Sequence, residues 1–112
     1  MEEREIIWVG SSLDDVKAFP PVARRETGHQ LGRVQHGLMP GDFKYMRSVG
    51  TGVYEIRIKD DGDQYRVFYV AKFEEGIYVL HAFEKKTRKT SQKDIEIAKK
   101  RYSEVLHLRG AT

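Results

Sequence analysis

Between Tyr54 and Val70 the chain reads YEIRIKDDGDQYRVFYV, with apolar and polar positions alternating on either side of an Asp-Gly pair. A period of two puts successive side chains on opposite faces of a strand. Asp61-Gly62 between two such runs is the strongest short hairpin signal in the chain. The turn predicts a register in which Asp60 faces Asp63, Ile58 faces Tyr65, Ile56 faces Val67 and Arg57 faces Arg66. One face then carries Tyr54, Ile56, Ile58, Tyr65, Val67 and Tyr69, an apolar set suited to a core. The other carries Glu55, Arg57, Lys59, Arg66, Phe68 and Val70. Two arginines opposite each other repel unless an acid or a bound anion lies between them, and Glu55, on the diagonal, can serve as that acid. A third run, IYVLHAF, follows a turn at Glu75-Gly76. It is expected to pair Phe68 with Phe83 and Val70 with His81. Val79, His81 and Phe83 are then expected on the arginine face, with Tyr78, Leu80 and Ala82 on the core face.

The flanking segments have helical spacing. Glu5 to Val9 reads as a short first strand with Trp8 in the core. Ser12-Leu13-Asp14-Asp15 has the spacing of a capping box, and Leu13, Val16 and Phe19 give the short helix behind it an apolar stripe. Asp14 and Asp15 fit the first turn of that helix, where the dipole favours acids, better than a catalytic pair. Pro20-Pro21 separates it from a second helix, Val22 to about Leu38, with Val22, Leu31, Val34 and Leu38 inward and Arg24, Arg25 and Arg33 outward. Gly28 and Gly32 are placed for close packing against the sheet. Phe43 to Val49 reads as an extended lead-in or a weak strand. After the hairpin and third strand, Thr90 or Ser91 caps a last helix whose inner stripe is Ile95, Ala98, Tyr102 and Val105. The order β-α-α-β-β-β-α over residues 1–112 predicts one α+β domain, a small, mainly antiparallel sheet with helices against its core face.

Composition narrows the function classes. The chain has 112 residues, 39% of them hydrophobic, which is enough for one small core. The absence of cysteine excludes disulfides, thiolate catalysis and cysteine zinc sites. The acidic start MEERE does not resemble a signal peptide, and no apolar run has the length of a membrane span, so a cytoplasmic protein is expected. His29 and His36 lack the spacing of zinc ligands. GTG at Gly50 to Gly52 lacks the Lys-Ser/Thr of a phosphate loop. No metal or cofactor is expected. The net charge of +3 is modest, but five of the ten residues from Glu84 to Lys93 are basic and one is acidic. A local basic patch points to a polyanion.

The arginine face suits one phosphate. Arg57 and Arg66 offer planar forks, Lys85 and Lys86 point charges, and His81 a group that can carry a proton. Phe83 could stack on a base, as readers of single-stranded RNA require. No acidic cluster matches a Mg²⁺-dependent nuclease, so cleavage would rest on cations and proton transfer, with the RNA 2′-hydroxyl as nucleophile.

The segments VGTGVYEIRI, QYRVFYV, IYVLHAFEKKTRKT and DIEIAKKRY, with the opening WVGSSLDDVKAFPPVARRETGHQLGRVQHG, resemble the phage-derived HigB-like branch of the RelE/ParE toxin superfamily over nearly the whole chain. The resemblance implies a RelE-like fold and the toxin of a bacterial type II toxin–antitoxin pair. Such toxins cleave mRNA without a metal, often on the ribosome, and are held by a small helix-turn-helix antitoxin. By position it assigns phosphate binding and stabilisation to Arg57, Arg66, Lys85 and Lys86. His81 and Phe83 lie in the HAF segment of this branch. The chain departs from many mRNA-cleaving relatives in having Glu55 where they have a second basic residue. Tyr102, the tyrosine nearest to one that some of them use as base, faces inward on the helical stripe.

The expectation is therefore an mRNA endonuclease toxin. Arg57, Arg66, His81, Lys85 and Lys86 form its catalytic set, with His81 as the candidate for proton transfer. Lys44, Phe83, Arg88 and Lys89 contact RNA, and Arg66→Ala leaves the fold intact while abolishing growth inhibition. A non-catalytic toxin on the same fold, such as a gyrase poison or an RNA-binding regulator, is the alternative. A phage assembly protein is a third reading, but assembly gives no reason for Arg57, Arg66 and His81 to converge.

Overall fold

The computed structural model describes residues 3–110; the first two residues of the acidic start and the last two of the RGAT tail lie outside the described residues. The elements are β1 (Ile6–Trp8), α1 (Ser12–Lys17), α2 (Pro21–Gln35), β2 (Phe43–Tyr45), β3 (Val53–Asp60), β4 (Asp63–Val70), β5 (Ile77–Lys85) and α3 (Gln92–Leu108). The strands form one sheet in the order β1-β5-β4-β3-β2, with β1 parallel to β5 and every other pair antiparallel. The α+β class and the predicted order hold, and the lead-in at Phe43 resolves as the short edge strand β2. Among the described residues no helix is long and apolar enough to cross a membrane.

The hairpin forms in the predicted register, including Arg57 opposite Arg66. Asp61 and Gly62 have φ of 50° and 86°, the left-handed pair that a two-residue turn matched to strand twist needs. At the start of β5 a Cβ on Gly76 would lie 2.7 Å from the Glu5 carbonyl oxygen. Only glycine lets β1 come alongside there, where Ile77 N donates to Glu5 O.

β5 departs from a plain alternation. Phe68 pairs with His81 but Tyr69 pairs with Val79, which leaves Leu80 as an extra residue in a β-bulge. One inserted residue reverses the facing of everything before it. His81, Ala82 and Phe83 keep their predicted sides. Val79 instead joins the first core, while Tyr78 and Leu80 turn to the other face. The predicted partners shift too: Phe83 lies opposite Arg66 and Val70 opposite Tyr78.

Helices cover both faces of the sheet, so there are two cores. In the first, Val16, Phe19, Ala23, Leu31 and Val34 from the α1–α2 side pack on Ile56, Ile58, Val67 and Tyr69, with Trp8 partly buried at its margin. In the second, Ala98, Tyr102 and Val105 of α3 pack on Val53, Phe68, Val70, Leu80 and Phe83. The α3 stripe is the predicted one. The α2 stripe is so only in part: Leu31 and Val34 face inward as expected, joined by Ala23 and Thr27, while Val22 is half exposed and the helix stops at Gln35, leaving Leu38 half exposed beyond it. Pro21 starts the helix one residue early, and a run of i, i+4, i+8 from Ala23 gives the tighter seam. A Cβ on Gly28 or Gly32 would meet nothing within 4 Å, so neither glycine serves close packing. At α1 the N-cap is Ser11 rather than Ser12, and its side chain makes no capping bond to the backbone; its hydroxyl donates to the Asp15 carboxylate. Ser12 is buried and donates instead to the Val79 carbonyl.

Candidate functional site

The sheet face under α3 is laid out in rows. Lys44, Glu55, Phe68 and His81 are successive partners across β2, β3, β4 and β5. Arg57, Arg66 and Phe83 form the next row. α3 crosses the β4–β5 side of these rows, which buries Phe68, His81 and Phe83. It leaves the β2–β3 side open. A cavity of about 350 Å³ opens there, lined by Lys44, Met46, Glu55, Arg57, Lys85, Arg88, Lys89, Thr90 and Ile95. Five cations from two strands, an edge strand and the loop after β5 thus surround one carboxylate.

Local structure places each wall. Alternation along β2 directs Lys44 toward the cavity and sets Phe43 and Tyr45 against Tyr54 on the other face. The loop after β5 folds back because Lys85 Nζ donates to the Arg88 carbonyl at 2.8 Å. Ser91 caps α3 by accepting from Asp94 N at 3.1 Å, which fixes Thr90 so that its hydroxyl donates to Glu55 Oε2 at 3.2 Å.

Glu55 is 2% exposed and separates the two opposed arginines. Its Oε1 lies 3.5 Å from Arg57 Nε and 3.6 Å from Arg66 Nε. Arg66 is buried, and its Nη atoms donate to Tyr65 O at 3.0 Å and Gln64 Oε1 at 3.1 Å. Among the described residues its Nε has no hydrogen-bond partner. Burial pulls the Arg66 pKa below the ordinary arginine value; Glu55 opposes that shift and Arg57 adds to it. Arg57, with a side chain 37% exposed, is the arginine that reaches the cavity.

Lys44, Arg57, Lys85, Arg88 and Lys89 therefore come together as a cationic cluster. Arg66 lies behind Glu55, in the wall rather than on the surface. Lys86 is exposed and does not line the cavity. His81 and Phe83 are buried, with rings stacked at 5.1 Å between centroids. His81 Nε2 is 2.7 Å from Asp94 Oδ1, and its Nδ1 is 3.5 Å from Arg101 Nη1. Nδ1 thus faces a guanidinium, which can only donate, and Nε2 faces the Asp94 carboxylate. Alternation had placed Glu55 on this face, but only the path of the loop after β5 makes it and Thr90 parts of a cavity. Among the described residues no cluster of three or more His, Cys, Asp or Glu side chains is placed to hold a metal.

A cavity of this kind suits the phosphate of a larger molecule, since arginine forks and lysine point charges neutralise it directly. The fold and the site define a small RelE-like α+β protein with a pocket lined by cations at its sheet edge. Residues 14–103 match the family model described as phage-derived protein Gp49-like (DUF891), and the chain belongs to that family, a toxin-like one. Among curated proteins none matches the chain.

Proposed function

We propose that this chain is a toxin of the HigB-like branch, the growth-inhibiting half of a type II toxin–antitoxin pair, and that it acts as an mRNA endonuclease on translating ribosomes in the cytoplasm. The observation that carries the reading is the convergence of Lys44, Arg57, Lys85, Arg88 and Lys89 on one cavity. A phosphodiester seated there meets the Arg57 fork and the Lys85 ammonium, which offset the charge that develops on the phosphorane. Lys44, Arg88 and Lys89 line the approach and hold the flanking backbone, a sequence-independent grip. Arg66 supports the electrostatics from behind Glu55. His81 and Phe83 hold α3 to the sheet and so keep the pocket wall in place, and Lys86 adds charge at the rim. The neutralising partner is a small helix-turn-helix antitoxin.

The test is induced expression in a bacterial host, alone and together with the neighbouring open reading frame, with mRNA 5′ ends mapped. Growth arrest with new ends inside coding regions, lost in Arg57→Ala and Lys85→Ala and suppressed by the neighbour, is the expected outcome. Arrest with intact mRNA would move the protein to the gyrase-poison class. Folded protein without arrest would overturn the toxin reading.

A further inference from the structure

We propose that Glu55 takes the proton from the attacking 2′-hydroxyl of the bound RNA. The inference rests on the endonuclease reading and supplies the proton acceptor that it lacks. Among the described residues Glu55 is the one carboxylate lining the cavity. Neither His81 nor Tyr102 lines it: the His81 ring is held under α3 against Asp94, and the Tyr102 hydroxyl donates to the Thr51 carbonyl at 2.7 Å.

The ion-pair geometry separates this role from that of a simple arginine clamp. A carboxylate committed to a guanidinium makes contacts of about 2.7–2.9 Å. Glu55 Oε1 instead accepts from Arg57 Nε at a long 3.5 Å and sits 3.6 Å from Arg66 Nε, while Arg66 directs both Nη groups at Tyr65 and Gln64. The charged groups facing the carboxylate are Lys44 from β2, Arg57 on its own strand, Arg66 from β4, Lys85 from β5, and Arg88 and Lys89 from the loop. From α3 comes apolar Ile95, while Asp94 is turned to His81. A phosphate entering among these cations draws the half-exposed Arg57 toward itself and leaves Oε1 to the neighbouring ribose. Thr90 continues to hold Oε2.

The step balances within the pocket and the RNA. The carboxylate accepts the 2′-hydroxyl proton, the 2′-oxygen bonds to phosphorus, and the bond from phosphorus to the 5′-oxygen breaks. The leaving oxygen takes a proton from the Lys85 ammonium. The products are a 2′,3′-cyclic phosphate and a 5′-hydroxyl, with no water consumed and no redox change. The carboxylic acid and the lysine amine then exchange protons with solvent.

The experiment uses the full chain with a short mRNA, offered free and on programmed ribosomes, and the same mRNA carrying a 2′-deoxy sugar at the cleaved position. Single-turnover cleavage and binding of the deoxy analogue are followed across pH for wild type, Glu55→Gln and Glu55→Asp. Glu55→Gln should cleave about 100-fold or more slower and lose the rise of rate with pH on the acid side. Its affinity for the deoxy analogue should change by no more than about threefold, since binding rests on the cations. Glu55→Asp should lose rate but keep that rise. If Glu55→Gln does not fold, Glu55→Asp decides: an undiminished rate overturns the proposal. Equal losses of binding and rate with an unchanged pH profile would overturn it by making Glu55 only a holder of Arg57. A wild-type product with a 5′-phosphate would also overturn it. A wild type that cleaves neither form of the mRNA would remove the endonuclease reading itself, an outcome distinct from these.

Discussion

Glu55 and His81 stand at the same level of the sheet, on the same face, with Phe68 alone between them. The chain just before and within the first turn of α3 holds both. Thr90 donates to Glu55, and Asp94 lies 2.7 Å from His81 Nε2. The two polar side chains nevertheless meet different surroundings: Glu55 lines an open cavity, whereas His81 is stacked on Phe83 under the helix. Their equivalence in the strand pattern ends where α3 crosses the sheet.

His81 and Asp94 should therefore register as a stability pair. His81→Ala and Asp94→Asn are each expected to lower unfolding free energy by about 1–3 kcal/mol, the cost of leaving a buried polar partner unsatisfied. The double variant should lose less than the sum, because both changes remove one interaction. Urea unfolding of the four proteins gives the coupling directly.

The paired arginines should separate into a surface role and a wall role. Arg57→Ala is expected to change stability by no more than about 1 kcal/mol, as for a partly exposed ion pair, while growth inhibition is lost. Arg66→Ala leaves Glu55 buried beside a missing charge and should cost about 3–5 kcal/mol. That reverses the expectation, drawn from alternation, that Arg66→Ala spares the fold. Denaturation midpoints measured alongside toxicity will separate the two cases.

Gly50 marks the point where the loop before β3 touches α3. A Cβ there would lie 2.2 Å from Tyr102 Cε2, on a ring whose hydroxyl is tied to the Thr51 carbonyl. Gly50→Ala must push α3 outward and is expected to cost about 1–3 kcal/mol by overpacking. The companion Gly28→Ala, with open space at its Cβ, should be neutral or slightly stabilising through helix propensity. Thermal melts of the two variants check the contrast.

At the far end of α3, Arg109 donates to Glu75 at 2.6 Å and stacks over Phe73 at 4.0 Å. Hydrogen bonds from Arg109 first and Tyr78 second hold the Glu75 carboxyl at about 2, below its ordinary 4.5. A carboxylate with a depressed folded-state pKa contributes its stability above the unfolded value and loses it as pH falls through the folded one. Glu75→Gln should thus melt lower than wild type at neutral pH. The gap should close between about pH 4.5 and 2, as melting curves across that range will show.

The hairpin was legible in the sequence because its turn residues and its period of two are both local, so Arg57 opposite Arg66 could be written down in advance. The capped α3 stripe was legible for the same reason. The facing of Val79 and Leu80 was not, because the bulge satisfies packing on two faces at once and leaves no local mark. Val22 misled because apolar character in a first helical turn says little about which stripe is buried, and Leu38 because the helix ends at Gln35, before reaching it. At the site, Arg57 followed from alternation and Lys85, Arg88 and Lys89 from the local run of charge, while Lys44 entered only with the family resemblance. The withdrawal of His81, Phe83 and Arg66 from the surface did not, since it depends on how far α3 extends across the strands.

The cavity wall has a consequence for how the protein meets a charged partner. Lys44, Arg57, Lys85, Arg88 and Lys89 against Glu55 give a local charge of +4, whereas the whole chain carries +3. Everything else in the molecule sums to −1, so the cavity is a concentrated positive pole. A polyanion approaching by diffusion is drawn toward that pole before any contact forms. Encounter should be fast in dilute buffer and fall steeply as the screening length shrinks toward about 8 Å at physiological salt.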